Sequence, residues 1–457
     1  MNENVQPLKK GSPNRTEGRE KNMGLEIMRD VTGRSESTSD VRNFAELFKD
    51  RYERLKKIID TGSNSKQVPL GQVSDYRGDD VFLVGLVQDR RRTKKGDQIV
   101  RMEDLSGDPE NPAREAIVWI SQKKEGLSER VENILPDEVV GFEARVPPNL
   151  DGSRSPLVWG NDMQRSESQK LEGANSPPKI SRSEGPLAVL TSDFHVGSTE
   201  FLEKPFQRFL NWLSGKKGPP REKELAERVE YLLVAGDAVD GGGVYPSQEK
   251  ELEIRNVKKQ YERLAEYLSN VPDHINVVVG PGNHDPVRLA EPQPAIPEDL
   301  GSLLVDRGVT LVGNPCLFKI GNVRFLLYHG EGFDDLVSAG IGLGYDDREE
   351  LMVETMRRGH LAPVYRNSDG NQAPTAPERR DYLVIDEPVD VFHAGHPHKF
   401  GFCERNGTSM VLSGTFQSQT SFQKKKGISP DPGKVALVGL KTGSVVGKLD
   451  FLGGGLS

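Results

Sequence analysis

The chain has 457 residues, more than one ordinary domain needs and enough for two or three domains with separate cores. Acidic residues outnumber basic ones, 69 against 61, and the net charge of -8 excludes a chain that binds nucleic acid through overall positive charge. Any contact with nucleic acid must therefore come from local basic patches or from metal ions.

Composition also bears on the compartment. Cys316 and Cys403 are far apart in the sequence, so we expect buried thiols in a reducing compartment rather than a disulfide framework. The polar N-terminus lacks the apolar core of a signal peptide, and no stretch approaches the roughly 20 apolar residues of a membrane span. We expect a cytoplasmic protein that makes no membrane contact.

The N-terminal region divides into two parts. Residues 1–40 are polar and nearly free of aromatic residues, so they are predicted to be disordered. Over residues 41–66, apolar residues recur at helical spacing among charged ones, which predicts an amphipathic helix capped by Asp40 or Asn43.

Residues 67–162 change to short apolar or alternating runs separated by turns, which favours a small all-β barrel of the OB-fold type. The predicted strands are Val81–Val87, Gln98–Glu103, Glu115–Ile120, Glu138–Val146 and Pro156–Trp159. The first turn carries Arg90, Arg91, Arg92, Lys94 and Lys95, either a solvated hairpin or a contact for a nucleic-acid backbone.

A polar segment rich in Pro, Ser and Gly over residues 163–186 is predicted to be an interdomain linker. Beyond it, residues 187–457 alternate buried strands with helices, which predicts an α/β domain. The predicted strands are Leu187–Leu190, Tyr231–Ala235, Ile275–Val279, Val323–Tyr328, Val389–Phe392 and Met410–Leu412, and the predicted helices are Phe206–Leu213, Glu222–Glu230 and Glu249–Leu268.

Five of these apolar runs are followed by residue types that can bind metal ions. The candidates are Asp193 and His195, Asp237, Asn283 with His284, His329, and His396 with His398. Carboxylate and imidazole groups are what a pair of divalent cations requires, and a pair spaced by one residue at a strand end projects to the same side. Five of the eight histidines fall in these segments, which favours a metal site. His274, His360 and His393 lack this setting and are expected to be surface or hydrogen-bonded core residues.

The order D-x-H, GDxxD, GNHD, HG and GH-x-H resembles that of the calcineurin-like metallophosphoesterases over roughly residues 187–415. Longer segments are similar to the small subunits of archaeal family-D DNA polymerases, in which an OB-fold also precedes the phosphoesterase domain. These segments are GDAVDGGGVYPSQ (236–248), VVVGPGNHDPVRLAEPQP (277–294), YHGEGFDDL (328–336) and SGTFQSQTSFQKKKGISPDPGKV (413–435).

The resemblance implies two divalent metal ions, with Mn²⁺ favoured and Fe or Zn as alternatives. One ion would be held by Asp193, His195 and His398 and the other by Asn283, His329 and His396, with Asp237 bridging both. His284 would protonate the leaving 3′ oxygen. Asp240 and Asp285 would orient histidines or loops rather than bind metal.

The implied activity is 3′→5′ exonucleolytic proofreading of single-stranded or mismatched DNA ends. The implied partner is the large polymerase subunit in a heterodimer, through which the chain would also reach a sliding clamp. Lys424–Lys426 and the basic hairpin are candidate DNA contacts.

Two other functions stay open at this point: a non-catalytic scaffold subunit and a stand-alone repair phosphodiesterase. In the related non-catalytic subunits of eukaryotic polymerases the ligand residues are lost, whereas here every position carries a competent residue. The sequence departs from the family pattern at Phe194, Pro397 and Phe416, none of which is a predicted ligand.

Overall fold

The computed structural model describes residues 24–38, 40–59, 65–105, 115–150, 155–166, 185–365 and 374–453. Within these ranges no helix is both long and apolar enough to cross a membrane. Residues 1–23 of the predicted disordered tail and residues 167–184 of the predicted linker lie outside the described part of the chain.

The N-terminal third forms a barrel with one long helix packed against it. Its elements are β1 (Leu25–Arg29), α1 (Val41–Ile58), β2 (Lys66–Gln67), a 3₁₀ helix (Leu70–Tyr76), β3 (Asp80–Arg92), β4 (Gln98–Glu103), β5 (Glu115–Ile120), α2 (Glu125–Glu132), β6 (Val139–Arg145) and β7 (Leu157–Gln164). The strand order is β2-β3-β4-β5-β7-β6, and pairing of β3 with β6 closes the barrel. Alternate residues such as Val81, Leu83 and Val118 fill its interior.

The barrel confirms the predicted OB-like fold and corrects its details. Strand β3 continues to Arg92, so Arg90–Arg92 are paired with β4 rather than placed in the turn. Helix α2 was not predicted. Strand β7 runs to Gln164, and Arg165 and Ser166 are buried, so the predicted linker is wrong for residues 163–166.

Two predictions for the N-terminal segment are also corrected. The disordered tail is wrong from Leu25 onwards, because β1 pairs antiparallel with β12 (Cys316–Ile320) of the C-terminal domain. Helix α1 begins after Asp40, whose side chain accepts a hydrogen bond from the Arg42 backbone N–H, as predicted. It ends at Ile58 rather than at residue 66.

The C-terminal domain is a sandwich of two six-stranded sheets with helices on both outer faces. Its elements after β12 are β13 (Val323–Tyr328), α7 (Gly332–Ser338), α8 (Arg348–Arg358), β14 (Val391–Ala394), β15 (Gly401–Arg405), β16 (Thr408–Leu412), α9 (Ser421–Lys426), β17 (Lys434–Gly439) and β18 (Val445–Asp450). Before β12 they are β8 (Leu187–Thr191), α3 (Glu203–Leu213), α4 (Pro220–Glu227), β9 (Val229–Ala235), a 3₁₀ turn (Gln248–Lys250), α5 (Val257–Leu268), β10 (Asn276–Gly280), α6 (Glu298–Val305) and β11 (Thr310–Leu311).

The sheet orders are β11-β10-β9-β8-β17-β18 and β1-β12-β13-β14-β16-β15. Leu190, Leu233 and Val278 of the first sheet pack with Phe325 and Val411 of the second in one buried cluster, which is the interior of the sandwich. This arrangement confirms the predicted α/β fold class, a calcineurin-like sandwich preceded by a small barrel.

Helix boundaries are the main correction in this domain. The predicted helix over Glu249–Leu268 begins only at Val257, because the Asn256 side chain caps it by accepting a hydrogen bond from the Lys259 N–H. The predicted helix Glu222–Glu230 ends at Glu227, since Val229 and Glu230 already belong to β9. Cys316 and Cys403 are buried and form no disulfide, as expected.

Candidate metal centre

The predicted ligands follow strands whose carboxyl ends meet. Strands β8, β9 and β10 run parallel in one sheet, and β13 and β14 run parallel in the other. The segments after these strands therefore lie at one end of the sandwich, where polar side chains from both sheets converge. The structure brings together all seven predicted ligands and His284.

One group of ligand atoms comes from Asp193, His195 and His398, and these atoms lie within 4.8 Å of one another. The Nε2 atoms of the two histidines are 3.0 Å apart. Asp193 Oδ1 lies 3.4 Å from His398 Nε2 and 3.8 Å from His195 Nε2. These three side chains are buried.

A second group lies beside the first. His329 Nε2 is 2.9 Å from Asn283 Oδ1, and His396 Nδ1 is 3.1 Å from the same oxygen. Asp237 Oδ2 is 3.4 Å from His329 Nε2 and 3.6 Å from His195 Nε2. Asp237 therefore stands between the two groups, where a bridging carboxylate would have to be.

The backbone at these positions is strained. Five predicted ligands have a left-handed conformation, with φ of 55° at Asp193, 53° at His195, 51° at Asp237, 81° at His396 and 58° at His398. This region is uncommon for residues with a side chain, and such strain concentrates at functional sites.

Two glycines allow the segments to come this close. A Cβ on Gly282 would lie 2.3 Å from Asp237 Oδ1, and a Cβ on Gly395 would lie 2.7 Å from Asp193 Oδ2. Either contact would displace a predicted ligand, so glycine is required at both positions.

Ionisation in the site follows from the close packing of carboxylates and imidazoles. Burial alone would raise the pKa of Asp193, but the adjacent imidazoles of His195 and His398 outweigh it and hold the pKa well below its usual range. Burial opposes ionisation of Asp237 too, and His329 and His284 nevertheless lower its pKa. Both carboxyl groups are thus charged and able to bind a cation.

The donor set fits divalent cations. Among the described residues, Asp193 Oδ1 has no hydrogen-bond partner although it is buried, and a buried unpaired carboxylate oxygen is costly. The Nε2 atoms of His195 and His398 face each other at 3.0 Å, and imidazole nitrogens are ligands that such cations accept.

Each predicted histidine ligand is oriented by a second contact on its other ring nitrogen. His195 Nδ1 is 2.9 Å from Asp240 Oδ1, and His329 Nδ1 is 2.9 Å from the Ala235 carbonyl. His396 Nε2 is 3.2 Å from Asp334 Oδ2, and His398 Nδ1 is 2.9 Å from Gln423 Nε2.

Asp334 and Gln423 were missed at the level of the sequence. Both fall inside segments noted there for their family resemblance, which was the available signal. Asp285, expected to orient a loop, accepts hydrogen bonds from the Gly282 N–H at 2.9 Å and the Tyr261 hydroxyl at 2.7 Å.

His284 lies at the mouth of the site with 15% of its side chain exposed. Its Nδ1 is 2.9 Å from the Asp240 carbonyl, and its backbone N–H donates to Asp237 Oδ1 at 2.9 Å. Burial lowers the pKa of His284, so the imidazole tends to be neutral.

The three histidines not predicted as ligands lie elsewhere. His360 is buried, with its Nε2 2.9 Å from Asp381, and His393 is buried, with its Nε2 2.9 Å from the Ser413 hydroxyl. His274 is half-buried. None belongs to the groups of possible ligand atoms found among the described residues.

The bulky departures from the family pattern pack against one another. Phe194 and Phe416 are buried, and their ring centroids are 5.8 Å apart. Each also contacts Phe206 of α3, at 4.8 Å and 5.1 Å. The large side chain at position 194 therefore extends the core beneath the site and does not enter it.

The fold is that of a calcineurin-like sandwich behind an OB-like barrel, and the candidate metal ligands lie at the ends of its strands. The sandwich is named the phosphoesterase domain after its fold. The family model for the B subunits of DNA polymerases alpha and epsilon matches residues 188–400. The chain belongs to the family of archaeal DNA polymerase II small subunits.

Similarity to individual relatives extends over most of the chain. It is 39% identical to the DNA polymerase II small subunit of Methanocaldococcus jannaschii, covering 90% of this chain and 66% of that protein. With the DNA polymerase II small subunit of Archaeoglobus fulgidus it shares 37% identity over 94% of this chain and 81% of that one. The chain thus spans just under two thirds of the first relative's length.

Solved structures resemble separate parts of the chain. Zinc-bound Vps29 from Entamoeba histolytica is 16% identical, covering 59% of this chain and 96% of that one, with a TM-score of 0.30. The OBody AM3L09 is 14% identical over 22% of this chain and 94% of that one, with a TM-score of 0.18.

Proposed function

We propose that this chain hydrolyses DNA phosphodiesters from the 3′ end, as the proofreading subunit of a two-subunit DNA polymerase. The observation that carries the proposal is the convergence of seven competent ligand side chains in two adjoining groups that share Asp237. A purely scaffolding domain would have no need for ionised carboxylates and strained histidines clustered in its interior.

In the proposed site, Asp193, His195 and His398 would hold one divalent ion, Asn283, His329 and His396 would hold the other, and Asp237 would serve both. Such ions, when bound, neutralise the charge that develops on the phosphoryl oxygens. Mn²⁺ is favoured, and Fe or Zn would also suit this mixture of carboxylate, amide and imidazole ligands.

His284 is the proposed acid. Its Nδ1–H donates to the Asp240 carbonyl, so Nε2 is the nitrogen that can take up a proton; in the protonated imidazolium form, Nε2 would pass that proton to the leaving 3′ oxygen. Asp240 positions two histidines at once, because its carboxylate contacts His195 Nδ1 and its carbonyl contacts His284 Nδ1.

The names of the relatives, small subunits of DNA polymerase II, support a large subunit as the partner. We propose that this chain pairs with a large polymerase subunit and that the substrate is DNA with an unpaired or mismatched 3′ end. A contact with a sliding clamp would be indirect, through the large subunit.

The test compares the wild-type chain with Asp237→Asn, each alone and with the co-purified large subunit. With Mn²⁺, the wild type should shorten a 5′-labelled single strand from its 3′ end. Asp237→Asn should lower the rate by about three orders of magnitude, equal to about 4 kcal/mol of barrier, and weaken Mn²⁺ binding in calorimetry.

Asp306→Asn, at the exposed end of α6, removes a carboxylate of the same type away from the strand ends and should match the wild type in both assays. The proposal fails if the wild type binds no Mn²⁺ and leaves 3′ ends intact in the presence of the large subunit.

A further inference from the structure

Two aromatic side chains stack at the mouth of the metal centre. The rings of Tyr245 and Phe422 are 5.8 Å apart with an interplanar angle of 29°, and Tyr245 also lies 6.1 Å from the ring of His284. Phe422 is 46% exposed, although it belongs to the short helix α9 beside the site. A single exposed apolar residue needs no explanation, but a stacked pair next to a candidate catalytic residue does.

The pair is fixed to the metal centre. Gln423, the neighbour of Phe422, lies 2.9 Å from Nδ1 of the predicted ligand His398, and the Thr420 capping box holds Gln423 in place. Glu251 links the two aromatic segments. One of its carboxylate oxygens accepts a hydrogen bond from the Tyr245 hydroxyl and the other from the Ser421 hydroxyl. The rings therefore keep a set position relative to the ligands.

Positive charge adjoins the pair. Lys424, Lys425 and Lys426 continue α9 and are exposed, and the Lys426 ammonium lies 5.9 Å from the centre of the Phe422 ring. Within the described ranges, none of the three forms an ion pair with a carboxylate. On a chain of net charge -8 this is a local basic patch that can contact phosphates.

From these observations we infer that Tyr245 and Phe422 form a stacking platform for an unpaired base at the 3′ end of a nucleic acid, with Lys424–Lys426 contacting its phosphates. This inference rests on the proposed function and adds the substrate's conformation to it. An aromatic ring can stack on any base that is unpaired and not already stacked on its neighbours. A paired base must first leave the duplex. The platform would therefore favour frayed or mismatched ends without reading their sequence.

The test uses the full chain in EDTA, so that binding is measured without hydrolysis, and a single strand with 2-aminopurine at its 3′ terminus. Stacking on the platform should quench the fluorescence. In Phe422→Ala the quenching should disappear and Kd should rise at least about fivefold, whereas Phe422→Trp should retain both. Tyr245→Leu serves as a second variant of the platform and should also reduce quenching.

Two further measurements separate stacking from general damage. Replacing the terminal base by an abasic residue should weaken binding to the wild type at least about fivefold and have no further effect on Phe422→Ala. Leu452→Ala changes an apolar side chain of equal exposure, 45%, and should behave as the wild type.

The inference is overturned if Phe422→Ala and Tyr245→Leu quench and bind as the wild type does while the wild type still shortens 3′ ends with Mn²⁺. It is also overturned if Phe422→Ala weakens association with the large subunit and leaves oligonucleotide binding unchanged. Absence of 3′ shortening by the wild type would instead contradict the proposed function itself.

Discussion

Asp381 is a buried carboxylate on which two basic side chains converge. Arg51 Nε lies 2.7 Å from it and His360 Nε2 lies 2.9 Å from it. The Ala362 N–H donates to His360 Nδ1 at 3.2 Å, so this imidazole is neutral with its proton on Nε2. Burial, reinforced by Arg51, lowers the pKa of His360 to about 4 against the pull of Asp381.

We predict a loss of stability as the pH falls from about 6.5 to about 4. In this window the unfolded state binds a proton on the His360 imidazole that the folded state does not accept. The contribution is on the order of 3 kcal/mol, since each pKa unit is worth about 1.4 kcal/mol. Asp381, whose pKa is lowered in the folded state, loses its own contribution only at still lower pH.

Urea unfolding at several pH values measures this effect, with His360→Gln as the comparison. The glutamine retains a hydrogen-bond donor but does not titrate, so the variant should lose less stability than the wild type when the pH is lowered from about 7 to about 4.5. Equal losses in the two proteins would show that His360 does not carry the effect.

The candidate ligands could be picked out from the sequence because each comes within a few residues of the end of an apolar strand, and the apolar pattern of the strand is visible in the sequence. Asp240 was expected to orient a histidine, but two further residues that contact the candidate ligands, Asp334 and Gln423, were not predicted. Gln423 meets His398, Asp334 meets His396, and Tyr245 meets Phe422, and these contacts join segments from different strand ends or loops. Local periodicity holds no information about such contacts.

At the scale of elements, α1 joins the barrel to the phosphoesterase domain. Its apolar face packs on β3 through Tyr52 and Leu55. Its side chains Arg51 and Arg54 contact the phosphoesterase domain. Arg51 donates to Asp381 and to the Pro363 carbonyl, and Arg54 donates to Asp386 and to the Asp381 carbonyl.

We predict that Arg51→Leu destabilises the protein by about 3–5 kcal/mol, because it leaves the buried Asp381 charge without its guanidinium partner. Chemical unfolding measures the change. Arg42→Leu is the matched control, since Arg42 pairs with Asp40 while remaining 86% exposed, and it should leave the free energy of unfolding nearly unchanged. If Arg51→Leu and Arg42→Leu lowered the free energy of unfolding by similar amounts, burial of the ion pair would not be the cause of the loss.

Element boundaries show where local sequence is insufficient. Strand β1 has five residues and lies in a polar segment. It forms by pairing with the edge of β12, which is far away in the sequence, so the local sequence does not indicate it. The late start of α5 had a local signal in Asn256, a favourable N-cap residue that the longer apolar pattern obscured.

At the scale of the whole molecule, the barrel and the phosphoesterase domain share a second buried charge cluster. Glu138, next to β6, accepts hydrogen bonds from Arg358 of α8 and from Arg165, the latter at 3.2 Å. Arg358 also donates to the Asn133 carbonyl of the barrel at 2.7 Å. Because all three charged side chains are buried, the pairing of one carboxylate with two guanidinium groups couples the two domains.

We predict that Glu138→Gln weakens this coupling. The variant keeps the shape of the side chain but removes the carboxylate that Arg165 and Arg358 share, which should cost about 3–5 kcal/mol even though Arg358 retains its ion pair with Glu354. The barrel and the phosphoesterase domain should then unfold in two separate calorimetric transitions, where the wild type unfolds in one. Glu115→Gln breaks the exposed Arg101 pair of the barrel instead and should cost less than about 1 kcal/mol. A single transition at the wild-type temperature for Glu138→Gln would mean that apolar packing alone holds the domains together.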